Sequence, residues 1–132
     1  MSTSASFTLI DKHEPVITMY SHWDGYPEGI PLKVMKWLSE IKVVDALTLD
    51  NENVANGVSC LAAQLIAKFK TGAGSIYLYN PEMQYQLGEY YIYDIFIDDG
   101  HVKVSAYKFD SDYDMIDMFE GSVQEFIQKF GQ

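Results

Sequence analysis

Alternating apolar and polar positions mark the second half of the chain, while helical spacing marks two stretches of the first. Tyr90 to Asp98 and His101 to Phe109 alternate around Asp99-Gly100, a residue pair that favours a two-residue hairpin turn. That turn sets Ile97 opposite Val102, Ile95 opposite Val104 and Tyr93 opposite Ala106, giving one apolar face for helices to cover. The other face pairs Phe96 with Lys103, Asp94 with Ser105, Ile92 with Tyr107 and Tyr90 with Phe109; it is mixed, yet aromatic at one end. Shorter strands are predicted at Phe7 to Leu9, Val16 to Tyr20 and Ser75 to Tyr79. Asp11-Lys12-His13-Glu14-Pro15 breaks the first two, and Asn80-Pro81 ends the third.

Pro31 suits the first turn of a helix, and Leu32, Met35, Leu38 and Ile41 follow at helical spacing, widened by Val34 and Trp37. A second helix is predicted with Asn53 as its cap and Val54, Val58, Leu61, Ala62, Leu65, Ile66 and Phe69 on one face. Lys68 and Lys70 suit its C-terminal end, and Thr71-Gly72-Ala73-Gly74 stops it. A last helix, about Ser122 to Phe130, buries Val123, Phe126, Ile127 and Phe130. Residues 1–6 read as a short polar tail. No repeat or linker divides the sequence, so residues 1–132 are expected to form a single α+β domain, a mainly antiparallel sheet with helices packed on one face.

Composition narrows the functional classes. With 48% apolar residues the chain has enough material for a core. It has no apolar run of bilayer length and no basic or apolar leader, which points to the cytoplasm. Cys60 stands alone, so no intramolecular disulfide can form. It lies beside the apolar stripe of the second helix, where a small buried cysteine is the plain reading and a nucleophile the rarer one. Nineteen acids face nine lysines and no arginine, for a net charge of -10. Without arginine the chain lacks the planar fork that clamps phosphate or reads guanine. Its charge repels nucleic acid and anionic lipid, so neither is expected as a direct partner. The acids cluster toward the C-terminus, at Asp94, Asp98, Asp99, Asp110, Asp112, Asp114, Asp117 and Glu120. Mimicry of nucleic acid would need them on one face; a solvated acidic surface is the simpler reading.

Three stretches carry candidate chemistry. Between a strand and a helix, His22, Trp23, Asp24, Tyr26 and Glu28 share a loop shaped by glycine and proline. A histidine near two carboxylates suits general-base catalysis or ligand binding, though no electrophile-stabilising partner is evident. The structural alternative has Trp23 and Tyr26 anchored in the core, Asp24-Gly25 making a turn and Glu28 preceding the helix. The second stretch is the tyrosine-rich sheet, ten tyrosines in all, where Tyr90, Ile92, Tyr107 and Phe109 exposed together would form a partner or subunit surface. The third is Asp110 to Glu120. Asp110, Asp112 and Asp114 alternate as in a calcium loop, but Met115 replaces the turn glycine and Gly121 the closing glutamate. Asp110, Asp112, Asp114 and Asp117 interleaved with Met, Ile and Phe suit a basic, partly apolar partner instead. His13 and His101 read as solvent-facing. No phosphate-binding glycine loop, hydrolase elbow, metal set or cofactor motif is present in the sequence.

Tyr20-Ser21-His22-Trp23-Asp24-Gly25-Tyr26-Pro27-Glu28, then Asn56-Gly57-Val58-Ser59-Cys60-Leu61-Ala62-Ala63-Gln64-Leu65 and Gly74-Ser75-Ile76-Tyr77-Leu78-Tyr79, resemble a group of small phage and prophage proteins. Those carry a similar His-Trp-Asp-Gly-Tyr-Pro segment, an Asn-Gly…Cys-Leu-Ala-Ala helix and a Tyr-Leu strand, over roughly residues 16–97. Ser21 departs from the group, where a basic residue is common, which weakens the expectation of an internal ion pair there. The resemblance implies an accessory protein made in the host cytoplasm, in a class whose small acidic members bind and disable host defence components. The expectation is therefore a protein that binds a basic host protein without cofactor or metal. The alternatives are a small-ligand binder or enzyme at the His22 loop and a structural protein that self-associates through its tyrosine-rich sheet.

Overall fold

Two consecutive left-handed residues, Lys12 (φ 49°) and His13 (φ 73°), fold the N-terminal segment into a hairpin of β1 (Ala5–Asp11) and β2 (Glu14–Ser21). Left-handed geometry at both turn positions matches the twist of the flanking strands. In this computed structural model, which describes residues 3–45 and 53–132, the segment read as a polar tail enters that sheet. Ser4 is buried and its Oγ donates to the Gly88 carbonyl at 3.2 Å, because the start of β1 lies beside a strand from the far end of the chain. The N-terminal half continues with α1 (Ile30–Leu38), β3 (Lys42–Val44), β4 (Val54–Asn56), α2 (Gly57–Phe69) and β5 (Ile76–Tyr79).

A single 3₁₀ turn at Pro81–Met83 leads to β6 (Tyr91–Asp98), β7 (His101–Phe109), β8 (Met115–Ser122) and α3 (Val123–Phe130). The expected β6–β7 register is the observed one: Ile97 faces Val102, Ile95 faces Val104, Tyr93 faces Ala106, Asp94 faces Ser105 and Ile92 faces Tyr107. Asp99 (φ 51°) and Gly100 (φ 76°) form its turn. Two features differ from expectation. Residues 54–56 pair in parallel with β3 instead of opening α2, so the helix starts at Gly57 and Asn53 is not its cap. The acidic stretch contains an edge strand, β8, which the sequence hides because a bulge at the Ala106/Tyr107 position breaks its alternation.

The main sheet runs β5-β2-β1-β6-β7-β8, antiparallel except where β1 lies parallel to β6. All three helices cover one face, and the fold is α+β. Ala5, Phe7, Leu9, Met19, Tyr93, Ile95, Val104 and Ala106 from the strands meet Val34, Met35, Leu38, Leu61, Leu65, Val123 and Phe126 from the helices in one core. The opposite face carries no helix. The crossover between β5 and β6 lies over part of it: Gln84 reaches Asp94, and the Tyr85 ring meets Phe109 edge-on at 6.4 Å.

Candidate functional site

The loop after β2 is held by its backbone and presents its side chains outward. His22 N–H donates to Ser75 O (2.8 Å), Gly25 N–H to Thr3 O (2.7 Å) and Ile30 N–H to Asp24 O (2.8 Å). The Tyr93 hydroxyl donates to the Gly25 carbonyl at 2.8 Å from inside the core. Gly25 and Pro27 are the buried residues, whereas Trp23 is 50% and Tyr26 40% exposed, so neither aromatic anchors the loop in the core as the structural alternative expects. What packs inward is the backbone at Gly25, which lies so close to β1 that a Cβ there would be 2.7 Å from Ala5 Cβ.

His22 is half-buried, with Nδ1 3.2 Å from the Tyr20 hydroxyl and its ring 4.5 Å from Trp23. Asp24 and Glu28 are exposed, and neither forms a hydrogen bond or ion pair with His22 among the described residues. The acid–histidine pairing that general-base catalysis would use is therefore not assembled. Half-buried Cys60 donates to Gln64 Oε1 at 3.4 Å, and Gln64 reaches the Val54 carbonyl, so the thiol serves the packing of α2 against β4. Among the described residues no three His, Cys, Asp or Glu side chains group as metal ligands.

The second candidate surface is the face without helices. Its aromatic end partly matches expectation: Tyr90 is 49% exposed, and Tyr107 and Phe109 are half-exposed. Ile92 does not belong to it. It is fully buried, on the face where the β5–β6 crossover reaches Asp94 and Phe109, and that crossover has no periodic signal in the sequence. Tyr85 and Met115 take its place, the first by its ring contact with Phe109 and the second as the direct cross-strand partner of Phe109. Beyond them the β7–β8 turn exposes Tyr113 at 84%. Asp110 organises that turn, accepting from the N–H groups of Asp112 and Asp114 at 2.9 Å each, so its carboxylate is engaged in structure. Asp112, Asp114 and Asp117 are exposed around the patch.

Next to the aromatic end, a polar row crosses the sheet. Thr18, Thr8, Asp94, Ser105 and Glu120 are successive register partners on β2, β1, β6, β7 and β8. The two threonine hydroxyls are 2.7 Å apart, and Ser105 Oγ donates to Glu120 Oε1 at 3.2 Å. Asp94 accepts from Gln84 at 3.0 Å. Burial raises the Asp94 carboxyl above the usual carboxylate range, and the Gln84 hydrogen bond opposes that only in part. A cavity of about 420 Å³ opens by Asp94, Phe96 and Ser105, and another of about 280 Å³ by Ser105, Tyr107, Asp117 and Glu120. The hairpin register predicts the Asp94–Ser105 pair; Glu120 and Gln84 come from elements without a sequence signal. Compared with protein-family models, curated proteins and solved structures, the chain gives no match.

Proposed function

We propose that this is a small acidic contact protein that engages a basic protein partner through the helix-free face and the β7–β8 turn. One observation carries the reading: exposed Tyr85 and Tyr90 adjoin Phe109, whose cross-strand partner is exposed Met115, and Met115 and exposed Tyr113 alternate along the chain with exposed Asp112 and Asp114. An apolar centre with a charged rim is how interfaces are built: the apolar part supplies affinity and the charges supply steering and selection. The resemblance to phage accessory proteins supports a host protein as the partner and inhibition of a defence component as the consequence. The test is capture from host lysate at low and high salt, with wild type, a D112N/D114N/D117N variant and a Y90S/M115S variant. Capture of one basic protein, lost at high salt and in both variants, supports the reading. Equal capture by all three overturns it.

A second reading rests on Trp23 and Tyr26. Two exposed aromatics on a loop fixed by buried backbone bonds suit stacking on a small ligand, with His22 as the polar contact. Ligand-induced change in Trp23 fluorescence across a metabolite panel tests it.

A further inference from the structure

Resting on the contact reading, we propose that the groove over Asp94, Ser105 and Glu120 receives a cationic side chain from an extended segment of the partner protein. The groove consists of the two cavities that share Ser105, about 420 and 280 Å³. Together they hold more than the volume of one long side chain.

Charge selects the occupant. Asp94, Asp117 and Glu120 bound the groove without an ion-pair partner among the described residues; Lys12, His13 and the salt-bridged Asp98 also line the larger cavity, so four carboxylates face one lysine across the two. The one salt bridge nearby uses Lys103, whose Nζ lies 3.2 Å from Asp98. An anion would meet carboxylates in both cavities and a lysine in one, whereas an ammonium or guanidinium would meet acceptors on two sides. The walls suit a long basic side chain as well. Phe96 and Tyr107 border the cavities, and an alkyl stem packs along such rings while its charged head reaches the carboxylates.

Two further features separate this groove from an ordinary solvated acidic surface. Ser105 is 6% exposed and directs its hydroxyl to Glu120, so that acceptor is set in place before anything binds. Asp94 is held partly out of water with Gln84 as its only hydrogen-bonding partner among the described residues, which leaves acceptor capacity unused. The groove is also continuous with the contact patch. The register steps from Ser105 to Tyr107 to Phe109 along β7, so a segment seated on the patch lies within two side-chain spacings of Asp94, about 14 Å.

The experiment titrates the full-length protein with a blocked, extended peptide bearing one lysine between valines, with its norleucine twin, and with a simple diamine, at low salt. Amide chemical shifts report where each binds. We expect the lysine peptide to move the signals of Asp94, Ser105 and Glu120 and to bind about tenfold more tightly than the twin, the worth of one charge-assisted hydrogen bond. D94N and E120Q each lose about that factor, while E40Q, at an exposed acid just past the end of α1, does not. E120Q changes an exposed edge residue, so the test stands even if D94N folds poorly. Equal binding of the two peptides, or shifts confined to residues 112–115, overturns the groove assignment. A diamine that binds as tightly as the peptide also overturns it, by making the groove a small-amine site. If partner capture persists in D94N and E120Q but fails in Y90S/M115S, the groove proposal falls while the contact reading stands.

Discussion

The Tyr93 hydroxyl donates a 2.8 Å hydrogen bond to the Gly25 carbonyl, joining the middle of the sheet to the loop that carries His22 and Trp23. Tyr93 is fully buried and its ring stacks on Phe7 at 5.1 Å, so the phenol is fixed before it reaches the loop. Tyr93→Phe keeps the ring and leaves the Gly25 carbonyl unpaired in the interior. We expect a loss of about 1–3 kcal/mol in urea unfolding. Gly25→Ala, which forces a Cβ against Ala5 and Ser4, should cost a similar amount, about 1–3 kcal/mol. An unchanged midpoint for both variants would show that the loop is not anchored there.

Trp23 discriminates between an anchoring loop and a presenting one. Because it is 50% exposed, Trp23→Ala should change stability by less than about 1 kcal/mol. A core tryptophan would cost about 3–5 kcal/mol. The same substitution should abolish any ligand response read at the loop.

Asp94 gives a pH dependence of definite sign. Its folded carboxyl titrates above its unfolded value, mainly through burial. The native state therefore holds the proton more tightly, and the associated stability is full below the unfolded value and lost as pH rises through the folded one. Asp94→Asn retains the acceptor for Gln84 and removes the ionisation. Relative to wild type it should be more stable at neutral pH, with the difference shrinking as pH falls into the carboxylate range. Denaturation of both proteins across that range checks it; a gap that widens on acidification would contradict the assignment.

The last helix begins on a reciprocal cap, Ser122 Oγ accepting from Glu125 N–H at 3.1 Å and Glu125 Oε1 accepting from Ser122 N–H at 2.9 Å. Ser122→Ala should cost about 1 kcal/mol. The Glu125 carboxyl is held below its usual value, first by the Ser122 backbone and then by its side chain. Its contribution is present above the unfolded value and disappears as pH falls through the depressed one, so Glu125→Gln should narrow its gap from wild type in acid. Helical circular dichroism and melting curves at two pH values report both effects.

Local signals were legible and long-range ones were not. The Asp99-Gly100 turn announces itself in two residues and fixes the β6–β7 register residue by residue. Val54-Ala55-Asn56 carry helical periodicity, yet they pair with β3 from across the chain, a partner no local window contains. Ile92 reads as exposed beside Tyr107 because nothing in residues 80–90 shows that this segment folds back over the same sheet face, against Asp94 and Phe109. The same holds for the candidate surface. The aromatic and acidic residues could be named, but the Asp94–Ser105–Glu120 row needed β8, whose bulge and charges disguise a strand. At the His22 loop, composition showed a rigid turn and left the direction of Trp23 open.

The seam between β1 and β6 also governs how the chain reaches its native state. Both flanking hairpins close over two residues and form on microsecond timescales. Their junction brings together Ser4 and Gly88, 84 residues apart, and draws the N–H groups of Tyr90 and Tyr91 to the Ser4 carbonyl. Closing so long a loop costs entropy before the parallel pairing returns any, so the seam is expected to form after the hairpins and to limit the folding rate. The polar row needs strands from both sides of that seam, so it is complete only once the seam has closed.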